Sequence, residues 1–345
     1  MRVRVVEIKT DSEAAKWDRF VLDHPRATGY HLTAWRHVVE KAFGRKTIYL
    51  MVIDGEGEVR GVLPLVFLSS KLFGRFLVSM PYLNYGGVLA DWDEARDLLL
   101  RAAVSAAQET GAAHVELRQQ GPELQWPCKQ HKVSMRLPLP RDFDTLWKTF
   151  PSKLRSQIRR AHKEDMTVDG GGVDLLDPFY AVFSRGMRDL GTPVYGKSFF
   201  RTILETFPKE ARIFVVSRHR KPLAAGFVYG FGTMLEIPWA ASDRRYNSFA
   251  PNMLLYSSAL EYACREGFRL FDFGRSTVDS GTFRFKQQWG AKPIPLYWYY
   301  WLKEDGHLPE LSPHNTKYRL AIQIWKHLPV TMTKIIGPSI VKHLP

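Results

Sequence analysis

The spacing of apolar and polar residues repeats in the two halves of the chain. Residues 30–39 (YHLTAWRHVV) and 195–204 (YGKSFFRTIL) share a tyrosine, a hydroxyl residue and an arginine at matching places. Apolar residues at helical spacing follow the hydroxyl residue in both, which predicts a helix with Thr33 or Ser198 as its N-cap. The pattern therefore indicates the same helix in each half.

Strand patterns and a second helix extend the repeat. Two apolar runs divided by a polar turn follow, at 47–67 and 212–231, and predict a pair of antiparallel strands in each half. A strand further on carries Glu116 in the first half and Asp272 at the matching place in the second. Between them lies a helix with two alanines on one face and a glycine stop: Ala103, Ala107 and Gly111, then Ala259, Ala263 and Gly267.

This shared order of elements predicts a tandem duplication of one α/β unit. The expected fold class is α/β (α+β), with a mixed sheet flanked by helices in each half. Pro138 and Pro140 end a strand-like run and mark a boundary. We expect a first domain at 1–140, a second at 141–302 and a basic amphipathic C-terminal tail at 303–345.

Composition narrows the possible functions. The only two cysteines, Cys128 and Cys264, give neither a disulfide framework nor metal-ligand spacing, so we expect a reducing compartment and no metal. No apolar run reaches the roughly 20 residues that cross a bilayer, and no signal peptide is expected. The missing GxSxG, Walker, HExxH and CxxC motifs disfavour hydrolase, NTPase and metal chemistry. The net charge of +14 suits phosphates, nucleic acid or an anionic membrane, or serves solubility alone.

The densest basic stretch is PSKLRSQIRRAHKEDMTV at 151–168, where a helix is expected to begin with Ser152 as its cap. Lys153, Arg155 and Arg159 crowd this helix, and like charges one turn apart repel each other. The cluster therefore indicates an anionic partner, unless it is an ordinary solvated helix face.

A second candidate lies between a predicted strand and a predicted helix, at DRRYNSFAPNMLL (243–255). Arg245, Ser248 and Ala250 fit a loose R-x-x-G-x-A pattern with serine where glycine is usual, and Asn252 follows. Such a loop before a helix N-terminus can hold a pyrophosphate on backbone N–H groups. A plain helix cap is the alternative interpretation.

A third stretch, FDFGRSTVDSGTFRFKQQWG at 271–290, continues from the last repeated strand. Asp272 and Arg275 alternate with aromatic residues, so both could project into a cleft or only pair with each other. Lys286 stands among aromatic residues, where burial would lower its pKa and its charge could stabilise an oxyanion or a phosphate. The lysine could instead extend outwards to solvent.

The whole chain resembles the FemAB family of the GNAT acyltransferase superfamily, and most closely its branch associated with PEP-CTERM/exosortase exopolysaccharide systems. The stretches KLRSQIRRAHKEDMTV, PYLNYGG (81–87) and GFRLFDFGRSTVDSGTFRFKQQWGA carry this resemblance. The segment FRFKQQWG is similar to the family signature F-K-x-x-[FW]-G. The resemblance implies two GNAT-like domains, with the acyl-transfer site in the second and Lys286 in the acyl-donor channel.

The resemblance further implies an N-acyltransferase whose co-substrate is acyl-CoA or aminoacyl-tRNA. We expect Asp272 to orient or deprotonate the acceptor amine and Lys286 to hold the developing oxyanion. The expected donor-binding residues are Arg245, Ser248, Asn252, Phe285 and Trp289. The expected substrate-binding residues are Lys153, Arg155, Arg159, Asn84, Tyr85, Tyr195 and Arg275.

The expected acceptor is a phosphorylated or lipid-linked cell-envelope or exopolysaccharide precursor at the inner face of the cytoplasmic membrane. The tail KYRLAIQIWKHLPVTMTKIIGPSIVKHLP (317–345) contains cations and apolar residues but no acidic residue. It either lies on an anionic membrane or packs onto the second domain as a closing helix. A different class of function stays open, in which two degenerate GNAT units bind RNA or an anionic glycan without catalysis.

Overall fold

The fold was analysed in a computed structural model that describes residues 3–71, 73–121, 124–304, 306–309 and 316–344. The chain divides into two compact units. Unit 1 contains Met1–Lys132, Pro295–Pro309 and Lys342–Pro345, and unit 2 contains Val133–Ile294 and Glu310–Val341.

The helices and strands alternate along the chain in the predicted order. The first half contains β1 (Arg4–Glu7), α1 (Asp11–Asp23), α2 (Ala34–Phe43), β2 (Thr47–Ile53), β3 (Val59–Ser70), β4 (Gly74–Val78), β5 (Leu89–Ala90), α3 (Asp93–Thr110), β6 (His114–Gln119) and β7 (Cys128–Pro138). The second half contains α4 (Phe143–Thr149), α5 (Ser152–His162), β8 (Met166–Gly171), α6 (Leu176–Leu190), α7 (Lys197–Thr206), β9 (Ala211–Arg218), β10 (Lys221–Phe231), β11 (Met234–Ser242), α8 (Pro251–Arg265), β12 (Leu270–Thr277), α9 (Gly281–Gln287), β13 (Lys292–Leu302), α10 (Thr316–His327) and α11 (Val330–Val341).

Both units form mixed sheets of the same kind. In unit 1 the strand order begins β1-β2-β3-β4-β6; neighbours are antiparallel except β4 and β6, which run parallel. In unit 2 the order is β8-β9-β10-β11-β12; again the last pair, β11 and β12, is parallel. The long helices α3 and α8 connect the two parallel pairs, as a parallel connection requires. The expected mixed sheets with flanking helices are thereby confirmed.

The duplicated positions also pack in the same way. A Cβ atom added to Gly61 on β3 would lie 3.0 Å from Leu99 Cδ1, and one added to Gly226 on β10 would lie 3.5 Å from Leu255 Cδ1. Leu99 and Leu255 each stand four residues before the first repeated alanine of their helix. The glycines therefore let α3 and α8 approach the sheet closely at equivalent places.

Of the three predicted N-cap residues, Thr33 stands at the N-cap of α2 without a side-chain cap bond, and Ser198 and Ser152 are not capping residues. Thr33 precedes α2, but its hydroxyl donates to Asp18 Oδ2 at 2.7 Å, so it does not cap the helix N–H groups. Ser198 lies inside α7, whose cap is Gly196 in an extended conformation. Helix α5 starts with Ser152 itself, because Pro151 is the capping residue.

The compact units differ from the consecutive segments 1–140, 141–302 and 303–345 that the sequence indicated. The boundaries between the units fall inside β7 and β13, two strands of 11 residues. Each of these strands has one end in unit 1 and the other end in unit 2. The two C-terminal helices belong to unit 2, where both contact α6. Trp325, Thr333 and Val341 are buried in this packing, as the closing-helix interpretation expected. None of the described helices has the length and apolar character needed to cross a bilayer.

Candidate active site

The parallel strands β11 and β12 pair over only a short distance. Their ladder joins Met234, Leu235 and Glu236 to residues 270–272 and then stops, although β11 continues to Ser242 and β12 to Thr277. Pro238 follows the last pair and has no N–H to donate, and the pairing of β11 with β10 is irregular at the same place. This open end of the ladder is where the candidate site lies.

A cavity of about 280 Å³ lies at the open end, and we call it the lysine cavity. It takes its walls from the end of β11, from α8 and from α9. Its lining residues are Ala240, Ala241, Ser242, Asn252, Tyr256, Gly281, Thr282, Phe285 and Lys286. An apolar wall with a few convergent polar groups is typical of a ligand site.

Lys286 is the cation of this cavity, and it is 7% exposed. Its Nζ donates to the carbonyl oxygens of Gly274 at 2.9 Å and Arg275 at 3.0 Å. Gly274 has φ 75°, a conformation that favours glycine. Burial lowers the pKa of Lys286 to about 8, although the charges of Asp272 and Glu236 act in the opposite direction. An ammonium has three protons, so these two bonds leave one for a ligand.

Asp272 has a different environment from the one expected for a general base. Its side chain is fully buried, where Oδ2 accepts from Arg136 Nε at 3.1 Å and from the hydroxyl of Ser134. The other oxygen accepts from the N–H of Gly274 at 2.8 Å. A carboxylate held by three donors is poorly placed to take a proton from an amine. Arg136 is an ion-pair partner of Asp272 that the sequence analysis did not name.

A second cavity of about 240 Å³, the loop cavity, lies beside the N-terminus of α8. It shares Asn252 and Phe285 with the lysine cavity. Ala250 precedes α8 with φ 54°, in the left-handed region that residues other than glycine seldom adopt. The remaining lining residues are Gln157, Arg160, Asn247, Pro251 and Met253.

Of the basic residues on α5, it is Arg160 that lines the loop cavity. Its Nη2 donates to the carbonyl of Ser248 at 3.3 Å, which connects α5 to the loop before α8. Arg159 instead lies over the ring of Trp147, 5.6 Å from the ring centre, and Lys153 is exposed. The expected anion-binding pair Arg155 and Arg159 lines neither cavity.

Arg245, which was expected to bind the donor, lines neither cavity. Its Nη2 donates to Asp243 Oδ2 at 2.6 Å, and its hydrogen bonds hold the pKa of the Asp243 carboxyl below the usual range. The ion pair leaves Arg245 more than half exposed. Ser248 accepts the bond from Arg160 through its carbonyl and lines neither cavity.

Several other expected ligand-binding residues are part of the core. Trp289 is 1% exposed and packs edge-on against Phe150. Tyr85 is fully buried in unit 1, so its ring offers no surface to a ligand, and Asn84 is 8% exposed. Tyr195, by contrast, is only half-buried, and its ring packs against Phe199 and other aromatic rings.

Tyr256 is a lining residue that the sequence analysis missed. It stands four residues after Asn252 on α8, and that spacing was the signal that could have found it. Burial raises the pKa of its hydroxyl, so it stays protonated across the physiological range. Among the residues that the structure describes, no cluster of histidine, cysteine, aspartate or glutamate could hold a metal ion.

Comparison with known proteins identifies this arrangement. A family model described as an acetyltransferase (GNAT) domain matches residues 149–287, a segment that contains the lining residues of both cavities. The crystal structure of FemX superposes with a TM-score of 0.62 at 18% identity, covering 93% of this chain and all of FemX. The chain has a tandem GNAT fold. No curated protein sequence matches it significantly.

Two further structures share the tandem GNAT fold. A tandem GNAT protein from the clavulanic acid biosynthesis pathway gives a TM-score of 0.59 at 15% identity, covering 89% of this chain and 100% of its own. The C-terminal domain of a putative lysylphosphatidylglycerol synthetase from Agrobacterium fabrum gives 0.57 at 12% identity, covering 85% and 93%. At these identities the likeness concerns the fold.

The parallel pair β4 and β6 of the first GNAT-like unit differs from its counterpart at the corresponding position. Arg118 on β6 takes the repeat position of Gly274, and it is 1% exposed. Its guanidinium donates to Glu116 at 2.8 Å and to the carbonyl of Leu83, beyond the end of β4, at 2.9 Å. The ring of Trp298 covers it at 4.7 Å. The side chain thus occupies the end of the β4–β6 ladder.

Proposed function

We propose that this protein is an N-acyltransferase that transfers an acyl or aminoacyl group to an amine of a phosphorylated or lipid-linked cell-envelope precursor, such as an exopolysaccharide precursor. The observation that carries the proposal is Lys286, a buried cation that lines a cavity at the open end of β11 and β12. A buried ammonium with one available proton suits a negative charge that develops on a carbonyl oxygen.

The reaction we propose is direct transfer. The acceptor amine attacks the carbonyl carbon of the donor; a C–N bond forms, and the C–S bond of a thioester or the C–O bond of an ester breaks. Lys286 stabilises the oxyanion of the tetrahedral intermediate. The protonated hydroxyl of Tyr256 donates a proton to the leaving sulfur or oxygen and is then reprotonated from solvent, which takes up the proton lost by the amine.

Asp272 supports Lys286 in this scheme and does not act as the base. Its buried negative charge opposes the effect of burial on the pKa of Lys286 and so favours the charged ammonium. Its bond to the N–H of Gly274 also fixes the backbone whose carbonyl holds Lys286. Asp272 is therefore a positioning residue in the proposal.

The donor is proposed to lie along both cavities. Its phosphates would bind at the loop cavity, where Arg160 and the N-terminus of α8 provide positive potential, and its acyl group would reach the lysine cavity past Phe285 and Asn252. Acyl-CoA and aminoacyl-tRNA both carry phosphates. The match to an acetyltransferase (GNAT) domain makes an acyl-CoA the first donor to test.

Two observations support the proposed acceptor: the cations on α5 and the likeness to known structures. Lys153 is an exposed cation in the first turn of α5, and with Arg155 it suits a phosphorylated acceptor. The likeness to FemX and to a lysylphosphatidylglycerol synthetase domain favours an envelope precursor over a free metabolite. Such a precursor would be met at the cytoplasmic face of the membrane.

A donor-transfer assay tests the proposal. Radiolabelled acetyl-CoA and charged tRNA are offered separately with a membrane extract that contains envelope precursors, and label is followed into the acceptor fraction. The control is Lys292→Met, because Lys292 is an exposed lysine close in sequence to Lys286. Label transfer that depends on Lys286 and not on Lys292 supports the proposal. Donor binding with no transfer to any acceptor would favour the non-catalytic RNA- or glycan-binding module.

A further inference from the structure

Large apolar residues are concentrated on the outer surface of α10 and α11. Nine such residues are exposed in the described part of the chain, and five of them lie on these two helices. Ile335 is 77% exposed and Leu320 is 68% exposed. The others on these helices are Ile324, Met332 and Ile336. Single exposed apolar residues are ordinary, but such a concentration marks an interaction surface.

These residues are exposed although their helices are packed. Helix α11 buries Thr333, Gly337 and Val341, while α10 contacts the end of α6. A Cβ atom on Gly337 would lie 2.9 Å from the backbone nitrogen of Val194, so the contact surface of α11 is already closely filled. Leu320 and Ile324 are one turn apart on α10, and Met332 and Ile336 are one turn apart on α11. The exposed apolar residues therefore form stripes outside this packing.

The surroundings of the stripes carry positive charge. Residues 316–344 contain no aspartate or glutamate, whereas α10 and α11 carry Arg319, Lys326 and Lys334. Burial is the main cause that lowers the pKa of Lys334, and repulsion from Arg185 and Lys197 lowers it further, while the charge of Asp177 opposes the shift. Arg185 and Lys197 of unit 2 thus lie near enough to affect Lys334, although each also pairs with an aspartate.

An anionic membrane satisfies both properties of this surface. A second copy of the chain would place the same lysines opposite each other across a symmetric interface, where like charges repel. Nucleic acid would neutralise the lysines but leave the isoleucines in water. A bilayer accepts apolar side chains at the acyl boundary and cations at its phosphates. We propose that the outer surface of α10 and α11 docks this protein onto the surface of an anionic lipid bilayer.

Point variants test the docking better than truncation, because α10 and α11 also cover α6. The test variant is Leu320→Ser combined with Ile335→Ser. The matched control is Leu22→Ser, since Leu22 is 66% exposed on α1 of unit 1. All the changed side chains are mainly solvated, so thermal unfolding of the variants should match that of the parent chain.

Membrane binding is measured by flotation with vesicles. Vesicles of phosphatidylcholine alone are neutral, and those mixed with phosphatidylglycerol are anionic. The parent chain and the Leu22 variant are expected to float with the anionic vesicles at low salt. The double variant should bind them at least about tenfold more weakly, and binding should fall as salt rises. Equal flotation of the double variant, or no flotation of the parent chain with anionic vesicles, overturns the proposal.

Light scattering without lipid tests the alternative that a second copy of the chain binds this surface. If the parent chain is a dimer that the double variant converts to a monomer, the surface is an interface between copies and the membrane proposal is wrong. Transfer to a water-soluble amine acceptor should be unchanged in the double variant. A failure of membrane docking is therefore distinguishable from a failure of the acyltransferase proposal.

Discussion

Replacing Lys286 by methionine is expected to separate catalysis from folding. Methionine has a similar length and fills the same apolar surroundings, but it carries neither charge nor donor. The change removes two hydrogen bonds, to the carbonyls of Gly274 and Arg275 at 2.9 and 3.0 Å. It also removes a buried charge whose desolvation is the main cause of the lowered pKa. These effects on folding have opposite signs.

Replacing Lys286 should change the unfolding free energy much less than it changes kcat. A hydrogen bond from a charged group contributes roughly 1.5–3 kcal/mol, and relief of the buried charge offsets a comparable amount, so the net change in unfolding free energy should stay within about 2 kcal/mol. Loss of one donor to the oxyanion should lower kcat by about 10²–10³. The variant should therefore be nearly as stable as the parent chain but almost inactive.

The assay is transfer from radiolabelled donor under single-turnover conditions, with thermal unfolding and donor titration on the same preparations. Lys292→Met is the matched control at an exposed lysine. A Lys286→Met variant that binds donor, unfolds normally and keeps more than about a tenth of the activity would refute a role for Lys286 in the chemical step.

Three further predictions follow from the same geometry. Because the folded chain holds Lys286 at a pKa of about 8 and the unfolded chain near the ordinary lysine value of 10.5, the unfolded chain binds more protons between these values; stability in urea should rise across that pH window, and Lys286→Met should lack the rise. Arg160→Ala should raise the donor KM with little effect on kcat, whereas Arg159→Ala, the neighbouring control, should leave the donor KM unchanged in initial-rate assays. Gly226→Ala should lower the unfolding free energy by about 1–3 kcal/mol, because its Cβ would lie 2.7 Å from Ile237 Cδ1; an unchanged urea midpoint would contradict the close packing.

The architecture was accessible from the sequence because it rests on local patterns. Apolar spacing predicted the strand pairs and the long helices, and the duplication showed that one set of elements occurs twice. The capping details were less accessible, because Thr33 prefers a partner on another helix: its hydroxyl donates to Asp18, 15 residues earlier. A tertiary hydrogen bond of this kind leaves no local signature.

The candidate site was predictable in part. The FRFKQQWG segment indicated Lys286, and the loop pattern indicated Asn252, and both residues line a cavity. The choice among the cations of α5 was beyond the sequence, because it depends on how Leu154 and Ile158 seat that helix in the core. The environment of Asp272 was equally hidden, since Arg136 lies 136 residues away in the chain.

The buried pair of Arg118 and Glu116 also bears on the history of the duplication. Once an arginine fills the end of the β4–β6 ladder, its removal leaves a carboxylate 3% exposed with no cation beside it. Breaking a buried ion pair from one side costs roughly 3–5 kcal/mol, a large part of the stability of an ordinary domain. Reopening unit 1 would require both residues to change together. The difference between the two halves is therefore hard to reverse. The stability of the fold keeps the β4–β6 ladder of unit 1 filled, and selection for new ligands acts more freely on unit 2.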